Sequence, residues 1–219
     1  LRVRLLLIAL AATSPALAQG APTWRDKATA FVAANMQHTA WGVSHAERDY
    51  RLAVEIARRD NMAVDDDVLF AAGMLHDIAA FSPWAKAGVD HGVRAAEVLT
   101  DSLRAWGFPE AKIARVQDAV SQHMYTHKTG EGAEALVLRD ADTLDFLGWE
   151  GITRVLSLAT RHRWATDLAT AVATLRRNAD DLPLTLSTTA GKAMAVPRVA
   201  AMRVYFAGLD AELKGIGAP

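Results

Sequence analysis

Any metal chemistry in this 219-residue chain must use imidazole and carboxylate ligands, because it contains seven histidines and no cysteine. That composition also excludes disulfides, thiolate nucleophiles and Cys-type zinc sites. The two ligand types meet at the end of Val68-Leu-Phe-Ala-Ala-Gly-Met-Leu-His-Asp-Ile-Ala79. The first eight residues are small or apolar with no polar stripe, which predicts a helix buried on nearly all sides. His76 and Asp77 then stand side by side. An ionised carboxylate there is costly twice over: it leaves water, and the helix dipole already presents partial negative charge at a C-terminus. A bound cation removes both costs, and imidazole beside carboxylate is a natural pair for a divalent metal. The dipeptide alone is equally compatible with an Asp77 that caps a neighbouring segment or pairs with an arginine.

Other polar residues also fall on apolar faces. His45 heads a stripe in which Asp49, Leu52 and Ile56 follow at helical spacing, with Arg48 close by. Asp142 lies one turn from both Leu138 and Phe146 within Arg139-Asp-Ala-Asp-Thr-Leu-Asp145. A single such residue is ordinarily a satisfied core histidine or a solvated aspartate. Four of them (His45, His76, Asp77 and Asp142) on three inward-leaning helices are harder to dismiss. They make a mixed nitrogen and oxygen set suited to Mn, Fe, Co, Ni or Zn, with open positions for water and substrate. His91 opens a helix, and His123 shares a face with Val116 and Val120. His127, one turn further, completes an H-x-x-x-H pair without the glutamate of a zinc-protease helix and is expected to be exposed.

The elements that must position these residues are predicted to be helices nearly throughout. Thr23 reads as the N-cap of a helix running to about Met36, followed by one from His45 to Asp60. Asp65-Asp-Asp67 caps the apolar helix. After the loop Phe81-Ser-Pro-Trp-Ala-Lys-Ala-Gly, a helix spans about Asp90 to Trp106 and stops at Gly107. Pro109 opens the next at the favoured first-turn position. Helices are expected from Ala133 to Leu147, ended by Gly148, and from about Gly151 to Trp164. Asp167 to Asn178 is helical in composition, Asp181-Leu-Pro183 interrupts, and an amphipathic helix covers about Pro197 to Lys214. There is no alternating strand pattern of useful length and no internal repeat. The expected fold is all-α.

At the N-terminus, Arg2 and Arg4 precede the apolar run Leu5 to Ala12, Ser14-Pro15 breaks it, and Ala16-Leu17-Ala18 has the small-x-small form of a signal-peptidase site. The run is too short to span a bilayer. Residues 1–18 therefore read as a cleavable signal peptide, residues 19–165 as the core and 166–219 as a C-terminal helical extension packed on it. The expected location is the bacterial periplasm or the extracellular space, with no stable membrane anchor. Twenty-four basic against 25 acidic residues argue against a nucleic-acid polymer as partner.

The order His45, then His76-Asp77 closing an apolar helix, then Asp142 in an Asp-Ala-Asp-x-Leu-Asp segment resembles the HD-domain metal-dependent phosphohydrolase superfamily. The resemblance spans about Trp41 to Trp164. It implies an HD-like helical bundle in which His45, His76, Asp77 and Asp142 ligate one catalytic divalent ion (Mn, Fe, Co, Ni, Zn or Mg). It also implies that His91 and His123 match the residues completing a second site in multi-metal members, so two ions are allowed. Arg48 resembles the basic residue many members carry three positions after the first histidine. The chain departs from the family in reading His76-Asp-Ile-Ala-Ala80 where a Gly-Lys pair often follows, and it lacks the Gly-Tyr-Pro triplet and paired histidines of the cyclic-dinucleotide phosphodiesterases. An export signal also argues against the cytosolic alarmone and deoxynucleotide-triphosphate hydrolases.

The expected reaction is hydrolysis of a phosphate ester or anhydride, on a small and most simply nucleotide-like substrate, by a water that the ion activates. Arg48 is a candidate phosphate clamp, with Lys128 and Arg139 as alternatives. Asp77 is a candidate for steering or deprotonating the water. His91 and His123 are either second-metal ligands or acids for the leaving oxygen. Two other readings stay open: an HD-fold di-iron oxygenase, and a non-catalytic helical module with a structural metal or none. Gly42-Val-Ser-His-Ala46 lacks the second glycine of a nucleophile elbow, which disfavours a serine hydrolase.

Overall fold

A computed structural model of the chain describes residues 21–127, 130–159 and 167–215, and every regular element among them is helical. The segment read as a signal peptide lies outside the described residues, as do Lys128 and the end of the helix expected to reach Trp164. In chain order the helices are α1 (Trp24–Asn35), α2 (Val43–Arg59), α3 (Asp66–Leu75), α4 (His91–Trp106), α5 (Glu110–Ser121), α6 (Ala133–Asp145), α7 (Gly148–Ala159), α8 (Leu168–Thr185) and α9 (Thr189–Gly215), with a short 3-10 turn over Ile78–Ala80.

The starts and stops have local causes. Thr23 and Asp26 form a reciprocal capping box at α1. The Asp65 side chain accepts from the backbone N–H groups of Asp67 and Val68 at the head of α3. Gly107 ends α4 in the left-handed conformation, at φ +86°. Pro109 is the residue before α5 rather than its first member.

Two boundaries differ more from expectation. α8 continues through Pro183, which sits in its last turn, where one missing N–H costs a single ladder bond. α9 begins at Thr189, eight residues before the expected start, and carries Pro197 inside it. Its early start is fixed by distant side chains. Asp140 accepts from the backbone N–H of Ser187 and Thr188 and from the Thr188 hydroxyl, and Asp60 accepts from the N–H of Ala190.

Apolar burial divides into two clusters. One joins α1, α3, α4 and α5 around Leu75, Leu99, Leu103 and Val116; the other joins α6 to α9 around Leu144, Val155, Leu175 and Met202. Helices α2, α3 and α6 belong to both. Ala46 faces one cluster while Ala53 and Ile56 face the other, Leu69 departs from its neighbours on α3, and Leu138 is turned away from Val137 and Ala141. These three helices form the seam of the bundle, and the inward-leaning histidines and aspartates sit on it. Met74 and Leu75, both fully buried just before His76, each contribute about 1.5–3 kcal/mol that pins the end of α3 in place. Gly73 lets α3 lie close to α2, since a Cβ there would stand 3.0 Å from Tyr50 Cβ and 3.3 Å from its backbone nitrogen. Among the described residues no helix is long and apolar enough to cross a membrane.

Candidate metal centre

Three histidines of the centre are oriented by their Nδ1 nitrogens. His76 directly follows α3, and its Nδ1 lies 2.9 Å from the carbonyl oxygen of Gly73. His123 follows α5, and its Nδ1 lies 2.7 Å from the carbonyl oxygen of Val120. A carbonyl only accepts, so Nδ1 carries the hydrogen in both rings. The same device serves twice: a carbonyl in the last turn of a helix sets the tautomer of an imidazole three residues on. His45, on α2, donates from Nδ1 to Asp145 Oδ2 at 2.8 Å. In their neutral forms all three rings therefore aim a bare Nε2 lone pair inward. Gly92 on α4 makes room for the His123 ring, because a Cβ there would come within 2.9 Å of it.

Those lone pairs converge. His45 Nε2 and His76 Nε2 are 3.2 Å apart, and so are His91 Nε2 and His123 Nε2. Asp77 stands between the pairs. Its Oδ2 is 3.3 Å from His45 Nε2 and 3.4 Å from His76 Nε2, while its Oδ1 is 3.0 Å from His91 Nε2 and 3.7 Å from His123 Nε2. Asp142 Oδ1 is 3.7 Å from His45 Nε2. Ligand atoms from His45, Asp49, His76 and Asp142 all lie within 4.8 Å of one another, and the same holds for His76, Asp77 and His123. Facing nitrogen lone pairs repel unless a cation or a proton lies between them. Two overlapping groups of donors are thus suited to holding a divalent ion.

The charges within the centre are strongly coupled. Burial alone would lower His76, yet the Asp77 charge beside it carries its pKa up to about 10. His45 and His91 also rise, against their own burial, through Asp49 and Asp77 respectively. Burial and the neighbouring His76 charge push His123 down to about 4. Burial would raise Asp77, but His76 and the hydrogen bonds from its histidine neighbours hold it well below the usual carboxylate range. Asp49 goes the other way, pushed up to about 8 by burial.

The structure brings His45, His76, Asp77, Asp142, His91 and His123 to one place. Arg48 is not among them. Its guanidinium donates from Nε to Asp145 Oδ1 at 2.8 Å and from Nη2 to Asp145 Oδ2 at 2.9 Å, and it also meets Glu150. Arg48 lines a separate cleft with Arg51 and Arg198, so the expected phosphate clamp instead braces a buried carboxylate behind the centre. Arg139 is likewise turned away, donating to the Tyr125 carbonyl and the Ser187 hydroxyl. His127, expected to be exposed, is half-buried and lies 3.3 Å from Asp90.

Three contributors escape sequence reasoning. Asp145 is buried and held well below the usual range, against its own burial, by His45, Arg48 and Arg154. Arg154, also buried, donates to Asp145 Oδ2 and to the Ala40 carbonyl, reaches within 3.3 Å of His45 Nε2, and lies over the Phe146 ring. Asp49, one turn after His45, is fully buried. The sequence does carry a signal for it, since a carboxylate shares the stripe of Leu52 and Ile56. Arg154 left no such signal.

A cavity of about 440 Å³ opens onto Asp77, His91 and Asp142. Trp41, Tyr125 and Phe146 supply aromatic walls. Lys86, on the loop between the 3-10 turn and α4, is the one Lys or Arg lining it among the described residues. Burial raises the Tyr125 phenol, and the Asp142 charge adds to the shift, so it keeps its proton.

Residues 42–147 match the HD domain family. The fold is similar to that of Bacillus subtilis YpgQ in complex with ADP, with a TM-score of 0.67 and 22% identity over 88% of this chain and 99% of that one. It is also similar to a predicted HD superfamily hydrolase from an uncultured Thermotogales bacterium, at TM-score 0.58 and 25% identity over 84% of this chain and 88% of that one. An HD-superfamily hydrolase from Bacillus thuringiensis is similar at TM-score 0.63 and 19% identity, over 87% and 96% of the two chains. The shared fold covers more of the chain than the family match does. No match is found among curated proteins.

Proposed function

From the match of residues 42–147 to the HD domain family, we propose that the protein is a metal-dependent phosphohydrolase acting on a small nucleotide-like phosphate ester or anhydride. The observation that carries this reading is the Asp77 carboxylate set between two facing imidazole pairs at the floor of a cavity with aromatic walls. His45, His76, Asp77 and Asp142 would hold one ion; Asp77, His91 and His123 would hold a second. Bound there, divalent ions supply Lewis acidity toward a phosphoryl oxygen and a water of lowered pKa.

The chain's own residues supply the rest. Asp77 is held ionised, which suits a shared ligand and makes it a poor base. Lys86 is placed to neutralise phosphate oxygens in the mouth of the cavity. The protonated Tyr125 hydroxyl is a donor for the same oxygens. Trp41 and Phe146 exclude water and offer flat apolar surface to a base or similar group. The ADP bound by YpgQ supports a nucleotide of this size. The N-terminal Arg2, Arg4 and apolar run support action outside the cytoplasm, in the periplasm or secreted.

The test is phosphate release from a panel of nucleoside mono-, di- and triphosphates and simple phosphate esters, with Mn, Co, Ni or Mg, beside a His76→Ala control. Turnover that depends on both metal and His76 is expected. Metal binding without turnover on any compound overturns the reading in favour of a non-catalytic module. The paired nitrogen sets also meet the structural requirement of the di-iron oxygenase alternative. Stoichiometric iron with visible absorbance in protein purified without chelator would favour that alternative.

A further inference from the structure

Among the described residues, Asp49 is the only carboxylate whose two oxygens are both enclosed and meet no hydrogen-bond donor. The side chain is fully buried. His45 Nε2 lies 3.3 Å and His76 Nε2 3.5 Å from its Oδ2. Both rings spend their Nδ1 hydrogens elsewhere, on Asp145 and on the Gly73 carbonyl. In their neutral forms these nitrogens bring Asp49 lone pairs rather than hydrogens. The two cations close behind the centre are committed too: Arg48 and Arg154 both bond Asp145. The sequence places a charged side chain where its own helix stripe asks for an apolar one, and the fold supplies it with no hydrogen-bond donor.

We infer that Asp49 is a further ligand of the ion held by His45 and His76, a third carboxylate beside Asp77 and Asp142. The inference rests on the metal reading above and deepens it. His45 and Asp49 stand one turn apart on α2, so a single helix face offers a nitrogen and an oxygen to the same point. Two imidazoles and three carboxylates exceed the four positions of a tetrahedral zinc site. That oxygen-rich donor set suits a six-coordinate ion such as Mn2+, which accepts carboxylate ligands readily. Asp49 thereby sets which metal the centre prefers.

The experiment is a chelator competition on the full chain with Mn2+ and with Zn2+, comparing wild type, Asp49→Val, Asp49→Asn and His76→Ala. Asp49→Val is expected to weaken Mn2+ binding by at least the roughly 10–100-fold that loss of an outer-shell partner costs. Zn2+ binding is expected to weaken less, so the preference shifts toward zinc. Thermal melts give a second readout. Metal-free Asp49→Val should melt above metal-free wild type, because an unpaired buried carboxyl has gone, while its Mn2+-induced rise should shrink. Asp49→Asn keeps the shape and carries the test should the valine variant fail to fold. Unchanged Mn2+ affinity in the Asp49 variants, with His76→Ala impaired, overturns the inference alone. Unchanged affinity in His76→Ala overturns the metal reading and the inference with it.

Discussion

Asp145 Oδ2 stands 2.8 Å from His45 Nδ1, a contact between residues 100 positions apart in the chain. Asp145 fixes the tautomer of a candidate ligand without reaching the centre itself, and Arg48 and Arg154 keep it ionised. Asp145→Asn removes the charge and keeps the shape. Metal affinity should fall by roughly 10–100-fold, read by calorimetric titration. Affinity equal to wild type would show that the contact is merely structural.

The two faces of Asp77 lead to a stoichiometry. His91 and His123 meet only its Oδ1 side, so replacing both with alanine should remove about one equivalent of metal and leave the His45 and His76 set loaded. Elemental analysis after dialysis against Mn2+ reads this directly. A double variant that binds as much metal as wild type argues for a single ion.

Lys86 lines the cavity from which Arg48 is turned away. Lys86→Ala should raise KM for a phosphorylated substrate by about tenfold with kcat changed much less, the pattern of a lost ground-state contact. Arg48→Ala should instead lower stability, because it strips a partner from the buried Asp145. A steady-state comparison of the two variants separates clamp from brace; equal KM values in wild type and Lys86→Ala would remove Lys86 from the substrate site.

What the sequence discloses and what it hides follow from range. Thr23, Asp65 and Gly107 act on backbone within one turn, so the ends of α1, α3 and α4 are legible from local residue types. The convergence of His45, His76, Asp77 and Asp142 is legible because each is polar at a position its helix stripe reserves for apolar side chains, or sits at a helix end beside one; His91 and His123 join them through the family resemblance. The start of α9 is not, because its caps are Asp60, just past the end of α2, and Asp140 on α6. Arg48 misleads because a guanidinium near a ligand looks the same in sequence whether it faces substrate or a carboxylate. Within Asp140, Asp142 and Asp145, closely spaced carboxylates do three different jobs that only the packing distinguishes.

Asp140 gives a prediction free of metal chemistry. Fully buried, it accepts three donors from Ser187 and Thr188 at the head of α9. Asp140→Ala leaves those donors unpaired and should cost about 3 kcal/mol of stability. Urea unfolding should show the lowered midpoint while metal content per folded molecule stays at the wild-type value. A midpoint within error of wild type would mean that α9 is held by its apolar face alone.

The pH dependence of the metal-free protein follows from the centre's proton uptake. Asp49 sits at about 8 through burial, and His76 at about 10 because the Asp77 charge outweighs its burial. Their unfolded values are about 3.9 and about 6.5. Both folded values are raised, so the stability these groups bring is complete below the unfolded values and is lost as pH climbs through the folded ones. His45 and His91 shift in the same direction. His123 opposes them, since burial and the His76 charge lower it to about 4; its effect is confined below its unfolded value of about 6.5. Between about pH 7 and about pH 9 the raised groups act alone, and the melting temperature of metal-free protein should fall. A bound ion displaces those protons, so metal affinity should rise over the same interval and the metal-induced gain in melting temperature should widen. Melting curves with chelator and with saturating Mn2+ at several pH values test both slopes, and a metal-free melting temperature that climbs with pH would contradict the coupling of Asp49, His76 and Asp77 in one buried cluster.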